Sequence, residues 1–234
     1  LTTGLERALV KFVPDRRPLK DSRKAEDNLL REFRRHFHRY SGDEPLAQDK
    51  LEWLALMQHH GAATRLLDWT FSEYVALFFA IGVTAVDSRC SIWALNQTAC
   101  WANLKRTLPK DIRKRLRAND KDIRATNWIL DHARTFVAPL NPFRLNARLS
   151  VQQGTFVVPL NMKVPFMENF EFAVKGKKEL CRKFDIRCSQ KFLINAYTEL
   201  KRMNITDLTL FPDLDGLARS TMLSVILKHL RPMV

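Results

Sequence analysis

Glycine and proline are scarce in this chain of 234 residues, at 7 and 10, which excludes a collagen-like or low-complexity sequence. No apolar run approaches the roughly 18 residues that a spanning helix needs. No basic-then-apolar leader opens the sequence, so no membrane segment is expected and a cytoplasmic location is. Cysteine is sparse too: Cys90, Cys100, Cys181 and Cys188 form no C-x-x-C pair and have no histidine partner pattern nearby. That spacing argues against a zinc site, and four thiols fit a reduced compartment better than a disulfide frame.

Apolar residues make up 46% and charged residues 27%, enough to bury a core and too balanced for a disordered chain. The surplus is positive: 39 basic residues against 25 acidic, a net charge of +14. Such an excess favours a polyanionic or nucleotide partner. It is unevenly placed, because residues 101–150 hold 12 basic and 4 acidic side chains while residues 51–100 hold 2 and 4.

The apolar spacing over residues 26–40 (EDNLLREFRRHFHRY) predicts an amphipathic helix that buries Leu29, Leu30, Phe33, Phe37 and Tyr40. A second helix is expected from about Asp49 to His59, stopped by Gly61. Thr64 to Asp68 reads as a short strand. Ser72 is placed to cap an almost wholly apolar core helix reaching Val86, with Glu73 in its first turn. Cys90–Asn96 reads as a buried strand, Gly154–Leu160 as another, and Lys183–Arg187 as a third. Residues 97–135 read as helical and charge-rich. Ser189 to Asn204 and Gly216 to Leu230 read as the last helices. Strands scattered among helices without regular alternation predict an α+β fold, a small mixed sheet wrapped by helices.

The chemistry concentrates between Gln58 and Ser72, where two imidazoles, a guanidinium, a carboxylate, an indole and two hydroxyls lead into the cap of a helix. On a strand, Arg65, Leu67 and Trp69 share one side and Leu66 and Asp68 the other. The plain reading is a buried Arg65–Asp68 pair beside a packed Trp69. The functional reading is a pocket floor where helix N–H groups meet an anionic ligand.

The stretch QHHGAATRLLDWTFSEYVALFFA (residues 58–80) closely resembles the signature of the FRG domain, a bacterial family often carried by mobile elements and defence-like loci. Arg148–Phe156 (RLSVQQGTF) resembles its R-x-x-x-Q-x-G-x-F motif, and Leu210–Ala218 (LFPDLDGLA) its F-P-D-x-x-G-x-A motif. Glu26–Phe33 resembles the helix before the signature. The eponymous Phe-Arg-Gly is absent, and Leu1–Arg7 looks like the segment that follows it. The resemblance implies one FRG-like domain over 1–234, with a basic helical insertion at about 97–135. The motif order is in turn similar to the ADP-ribosyltransferase layout, an analogy at the level of fold.

From that analogy comes the expectation of a toxin-like or defence-associated enzyme using a nucleotide, NAD, without a metal. His59, Asp68 and Gln152 are the catalytic candidates. Gln58, Arg65, Trp69, Thr70, Ser72, Arg148, Gly154 and Phe156 are the ligand-binding ones. Arg65 would pair with phosphate or orient Asp68, and Trp69 would stack on a ring. Position 152 is a neutral amide where transfer at the nicotinamide ribose wants a carboxylate. Either another acid serves, or the pocket binds without transferring. A second reading is a nucleic-acid binding or metal-dependent processing module. Its contact face would be the basic 105–124 segment, and Asp213 and Asp215 would be its D-x-D pair. The simpler role for those aspartates is capping the final helix. A non-catalytic binding domain is the third reading.

Overall fold

The computed structural model describes residues 1–12, 18–42, 46–110, 113–114, 123–144, 146–177 and 179–230. The fold is α+β, as the pattern predicts. The chain divides into two compact units. The first comprises Leu1–Asp68, Asn96–Arg144 and Phe156–Leu180, and the second Trp69–Leu95, Leu145–Thr155 and Cys181–Val234. No helix of the described residues is long and apolar enough to cross a membrane.

The first unit opens with α1 (Gly4–Phe12), a short 3-10 turn (Pro18–Asp21) and α2 (Ser22–Phe37). α2 starts a turn earlier than its apolar pattern suggests, because Ser22 is buried and its hydroxyl donates to the carbonyl of Met162 at 2.5 Å. Its buried row is Ser22, Glu26 and Leu30, with Phe33 and Phe37 half-buried against Trp53. The expected burial of Leu29 and Tyr40 does not occur: they are 41% and 81% exposed. A row containing a serine and a glutamate carries no apolar signal, so the periodicity pointed at the wrong neighbours.

Helix α3 (Lys50–His59) follows, capped by Asp49, whose side chain accepts from the Glu52 N–H. It leads to β1 (Leu67–Thr70), which begins three residues later than expected. The cause is local: the Thr64 hydroxyl accepts from the Leu66 N–H at 3.1 Å and bends the chain out of strand geometry. Helices α5 (Gln97–Thr107) and α6 (Ile123–Asp131) come from the charge-rich region, followed by β3 (Val137–Leu140), β4 (Gly154–Pro159) and α8 (Phe166–Val174). Strands β3 and β4 pair antiparallel, Val137 opposite Pro159 and Leu140 opposite Phe156, in a three-stranded sheet of order β1-β4-β3. Leu51, Leu54, Met57, Leu66, Leu104 and Leu130 are among the fully buried side chains of this unit. The buried amide of Asn169 accepts from the N–H groups of Phe136 and Asn161 and donates to the carbonyls of Asn161 and Pro165. It thereby closes the turn before α8 without leaving a polar group unmet.

The second unit holds α4 (Glu73–Gly82), β2 (Ser88–Leu95), α7 (Ala147–Val151), β5 (Cys181–Cys188), α9 (Gln190–Arg202), α10 (Asp207–Leu210) and α11 (Leu214–Leu230). Ser72 caps α4 and Ser189 caps α9, each hydroxyl accepting an N–H three residues on. Two strand and helix expectations need correction. α4 ends at Gly82 rather than Val86, and only Val75, Phe78 and Ile81 are buried, while Tyr74 and Phe79 reach the surface. β2 is half-buried rather than enclosed, because its sheet has a single partner, β5. The register runs from Ser88 opposite Cys188 to Leu95 opposite Cys181. The strands therefore form two small sheets instead of one. Val75, Phe78, Ile81, Cys188, Leu200 and Leu210 make this unit's core.

Candidate functional site

In the first unit, α3 stops with a Schellman turn. Gly61 adopts φ +83°, its N–H donates to the Gln58 carbonyl at 3.0 Å, and the Ala62 N–H donates to Met57 at 2.9 Å. The reversal folds Thr64 back onto the end of α3. The Thr64 hydroxyl donates to Gln58 Oε1, and Gln58 Nε2 donates to Asp68 Oδ1 at 2.9 Å. Thr64 is 1% exposed, Gln58 half-buried and Asp68 exposed. The result is a carboxylate at the surface with its orientation set by a relay rooted in the interior. The segment is also anchored from α1, since the Leu5 N–H donates to the Thr64 carbonyl at 2.8 Å. His59 is half-buried, its ring edge-on to His60 at 4.9 Å.

Arg65 does something else. Its side chain is 1% exposed and grips Glu26 through two bonds, Nε to Oε2 at 2.6 Å and Nη2 to Oε1. Nη1 donates to the Leu130 carbonyl at 2.7 Å. The expected pairing with Asp68 or a ligand phosphate is corrected accordingly: the guanidinium is committed to Glu26 and to α6, inside the core. Phe156 is likewise 3% exposed on β4, a core side chain and not a ligand contact.

In the second unit the other two motifs interlock. The Gln152 carbonyl accepts from the Thr70 hydroxyl at 2.8 Å, and the Gln153 carbonyl accepts from the Phe71 N–H at 3.0 Å. Thr70 Oγ1 also accepts from the Ser72 N–H, so Thr70 and Ser72 are fixed just before α4. Gln152 Nε2 donates to the Leu210 carbonyl at 3.0 Å, which gives it a positioning role toward α10. The guanidinium of Arg148 lies 4.4 Å from the Phe211 ring centre and that of Arg219 lies 4.7 Å from it. Gly154 is required by packing: a Cβ there would sit 2.3 Å from Leu149 Cδ1. Trp69 is half-buried.

Asp213 takes the capping role, its Oδ1 accepting from the Gly216 N–H at 2.7 Å. Among the described residues no three His, Cys, Asp or Glu side chains converge as a metal site would need. Of the basic 105–124 segment, Lys105, Arg106, Lys110, Arg113 and Lys114 are described, and Lys105 lies over the Trp101 ring. Arg115, Arg117 and Lys121 lie outside the described residues, as does the side chain of Arg124.

Sequence reasoning missed Glu26, Thr64 and Phe211. Glu26 had one available signal, its position four residues before Leu30 and four after Ser22 on one helical row. Thr64 and Phe211 stood inside recognised motifs, but their partners emerge only from the folded chain.

The comparisons agree with the first motif. The FRG domain family matches residues 1–89, the stretch that contains the Gln58–Asp68 relay, and supports the FRG resemblance. The second and third motifs lie beyond the matched residues. No curated protein and no solved structure matches the chain.

Proposed function

We propose that this chain is an FRG-type enzyme that binds a nucleotide and acts on it, with NAD as the substrate and Asp68 as the residue that meets it. The observation that carries this reading is the exposed Asp68 carboxylate held by Gln58 and Thr64. A surface carboxylate with a fixed direction accepts hydrogen bonds from vicinal ribose hydroxyls without first losing side-chain freedom. The net charge of +14 favours approach of an anionic ligand.

In the reaction proposed, the bond between the nicotinamide nitrogen and the ribose C1′ breaks, and nicotinamide leaves with the electron pair. An acceptor nucleophile bonds C1′ and gives up its proton, for which His59 is the base. Asp68 holds the ribose and offsets the positive charge that develops on the ring. This assigns to Asp68 the carboxylate function that the neutral Gln152 cannot supply. Gln152 instead ties the segment around Thr70 to α10. A toxin-like or defence role belongs to the same proposal.

The test is a melting-temperature panel with NAD, ATP, GTP and RNA, followed by nicotinamide release from NAD. A shift with NAD, and nicotinamide release that Asp68→Asn abolishes while melting like the wild type, is the expected result. Growth arrest on expression should vanish in the same variant. Full turnover in a folded Asp68→Asn protein would remove Asp68 from the site, and a shift only with RNA would remove NAD.

A further inference from the structure

The C-terminal half of α2 carries Arg31, Arg34 and Arg35, with Arg39 just past its end. The spacing i, i+3, i+4 and i+8 puts all four on one side of the helix. All four are exposed. Glu32 accepts from Arg31 at 3.3 Å and lies 3.7 Å from Arg35, so a single carboxylate serves two of them. Arg34 makes no ion pair among the described residues; its guanidinium lies over the Trp53 ring, 5.1 Å from the centre. Trp53 is itself held edge-on by Phe37 at 5.1 Å and Phe33 at 6.4 Å.

Beside this row, within the same unit, opens a cleft of about 440 Å³. Arg31 and Arg34 form one wall, with Gln48, Lys50, Trp53 and Asn127 around the rest. Its size falls within the roughly 300–1,000 Å³ of small-ligand sites. Asp27, also in the lining, is neutralised by Lys50 Nζ at 3.0 Å. The Lys50 N–H fixes Asn127 by donating to its Oδ1 at 3.2 Å, which directs the Asn127 amide nitrogen elsewhere.

We propose that this arginine row and its cleft bind a single strand of nucleic acid, one nucleotide entering the cleft while neighbouring phosphates follow Arg31, Arg35 and Arg39. Three observations select this occupant. Arginines match phosphate oxygens through a planar fork, which acidic peptides do not require. A guanidinium lying flat on an indole offers its outer face to an unstacked base, a contact that a paired duplex cannot make. The side-chain amides of Gln48 and Asn127 can meet a base edge. The surface is separate from Asp68 and from the 105–124 segment, so it stands or falls independently of the NAD reading.

The experiment is fluorescence anisotropy of a labelled mixed-sequence 12-nucleotide RNA and its DNA counterpart with the whole chain, across 50–300 mM salt. The variants are Arg31→Gln with Arg34→Gln, whose stems still cover Trp53; Arg34→Lys, which keeps charge but loses the flat face; and Arg113→Gln with Lys114→Gln as the comparison. The α2 double variant should bind at least tenfold more weakly. Its log–log salt slope should fall by about 1.4, for two lost contacts at about 0.7 each on a single strand. Arg34→Lys should lose affinity while keeping the slope. Equal affinity and slope in the α2 double variant at unchanged melting temperature would overturn the proposal. So would full binding by Arg34→Lys together with equal loss for heparin, which marks a general anion surface, or a loss confined to the Arg113 and Lys114 variant.

Discussion

Arg65 and Glu26, 39 residues apart in sequence, form a two-bond ion pair that is almost completely closed to solvent. Lys50 Nζ also reaches Glu26, at 3.4 Å, and Arg65 continues to the Leu130 carbonyl. The pair therefore joins α2, the start of α3, the end of α6 and the segment before β1 through one buried carboxylate. The residue that stands out in the signature for binding chemistry is in fact the clamp that holds that signature in place.

Removing either partner leaves the other charge buried and unpaired. Glu26→Gln or Arg65→Met should each lose about 3–5 kcal/mol, while the double variant Glu26→Met with Arg65→Met should recover much of it. Thermal unfolding is the measurement, with single-variant drops of roughly 6–20 °C for a chain of this size. Single variants that melt with the wild type would show that the pair does not clamp the unit.

Gly216 gives a prediction of unusual sign. Glycine to alanine within a helix ordinarily gains up to about 1 kcal/mol. Here a Cβ would lie 1.9 Å from the Phe211 carbonyl oxygen and 2.8 Å from that of Asp207. Both are backbone atoms and cannot step aside, so the first turn of α11 must shift from α10. Gly216→Ala should destabilise by about 1–3 kcal/mol in urea unfolding. The same variant should weaken the Arg148 and Arg219 contacts with Phe211, readable as faster proteolysis around residues 207–216.

Asp49 caps α3 from a buried position. Burial pushes its carboxyl above the usual range, and the nearby Glu52 charge adds to this, against the Glu52 N–H bond that favours the ionised form. Asn keeps the acceptor and drops the charge, so Asp49→Asn should be neutral or stabilising at pH 7, whereas Asp49→Ala should cost about 1 kcal/mol. A raised folded value means that protonation relieves the buried charge as pH falls, with the relief complete below the unfolded value of 3.8. The gap between wild type and Asn should therefore narrow toward acid.

What the sequence disclosed follows from how far each interaction reaches. The caps at Asp49, Ser72 and Ser189, the stop at Gly61 and the cap at Asp213 were legible because each acts within a few residues. The end of α4 and the face it buries were not, since they depend on what packs against Val75, Phe78 and Ile81. The motif residues were legible as a group but not by role. Arg65, Gly154 and Phe156 serve packing, while Asp68 alone of the charged residues in the signature reaches the surface before the Ser72 cap. Distinguishing them required Glu26 and Leu149, whose involvement no spacing rule records.

His132 supplies a pH test of the end of α6. Its ring stacks on Trp128 at 4.5 Å and 20°. Burial lowers its affinity for a proton, and the charge of Arg134 lowers it further. The folded value therefore lies below the unfolded one of 6.5. Above that pH both states are neutral and the stacking contribution is fully present. As pH falls through 6.5 and then through the lowered folded value, the unfolded chain takes up the proton first and stability declines. His132→Phe keeps a ring on Trp128 and removes the titration. The drop in melting temperature from pH 7.5 to pH 5 should be smaller in His132→Phe than in the wild type, with the two chains alike at pH 7.5. Parallel curves over that range would show that His132 is not the group responsible.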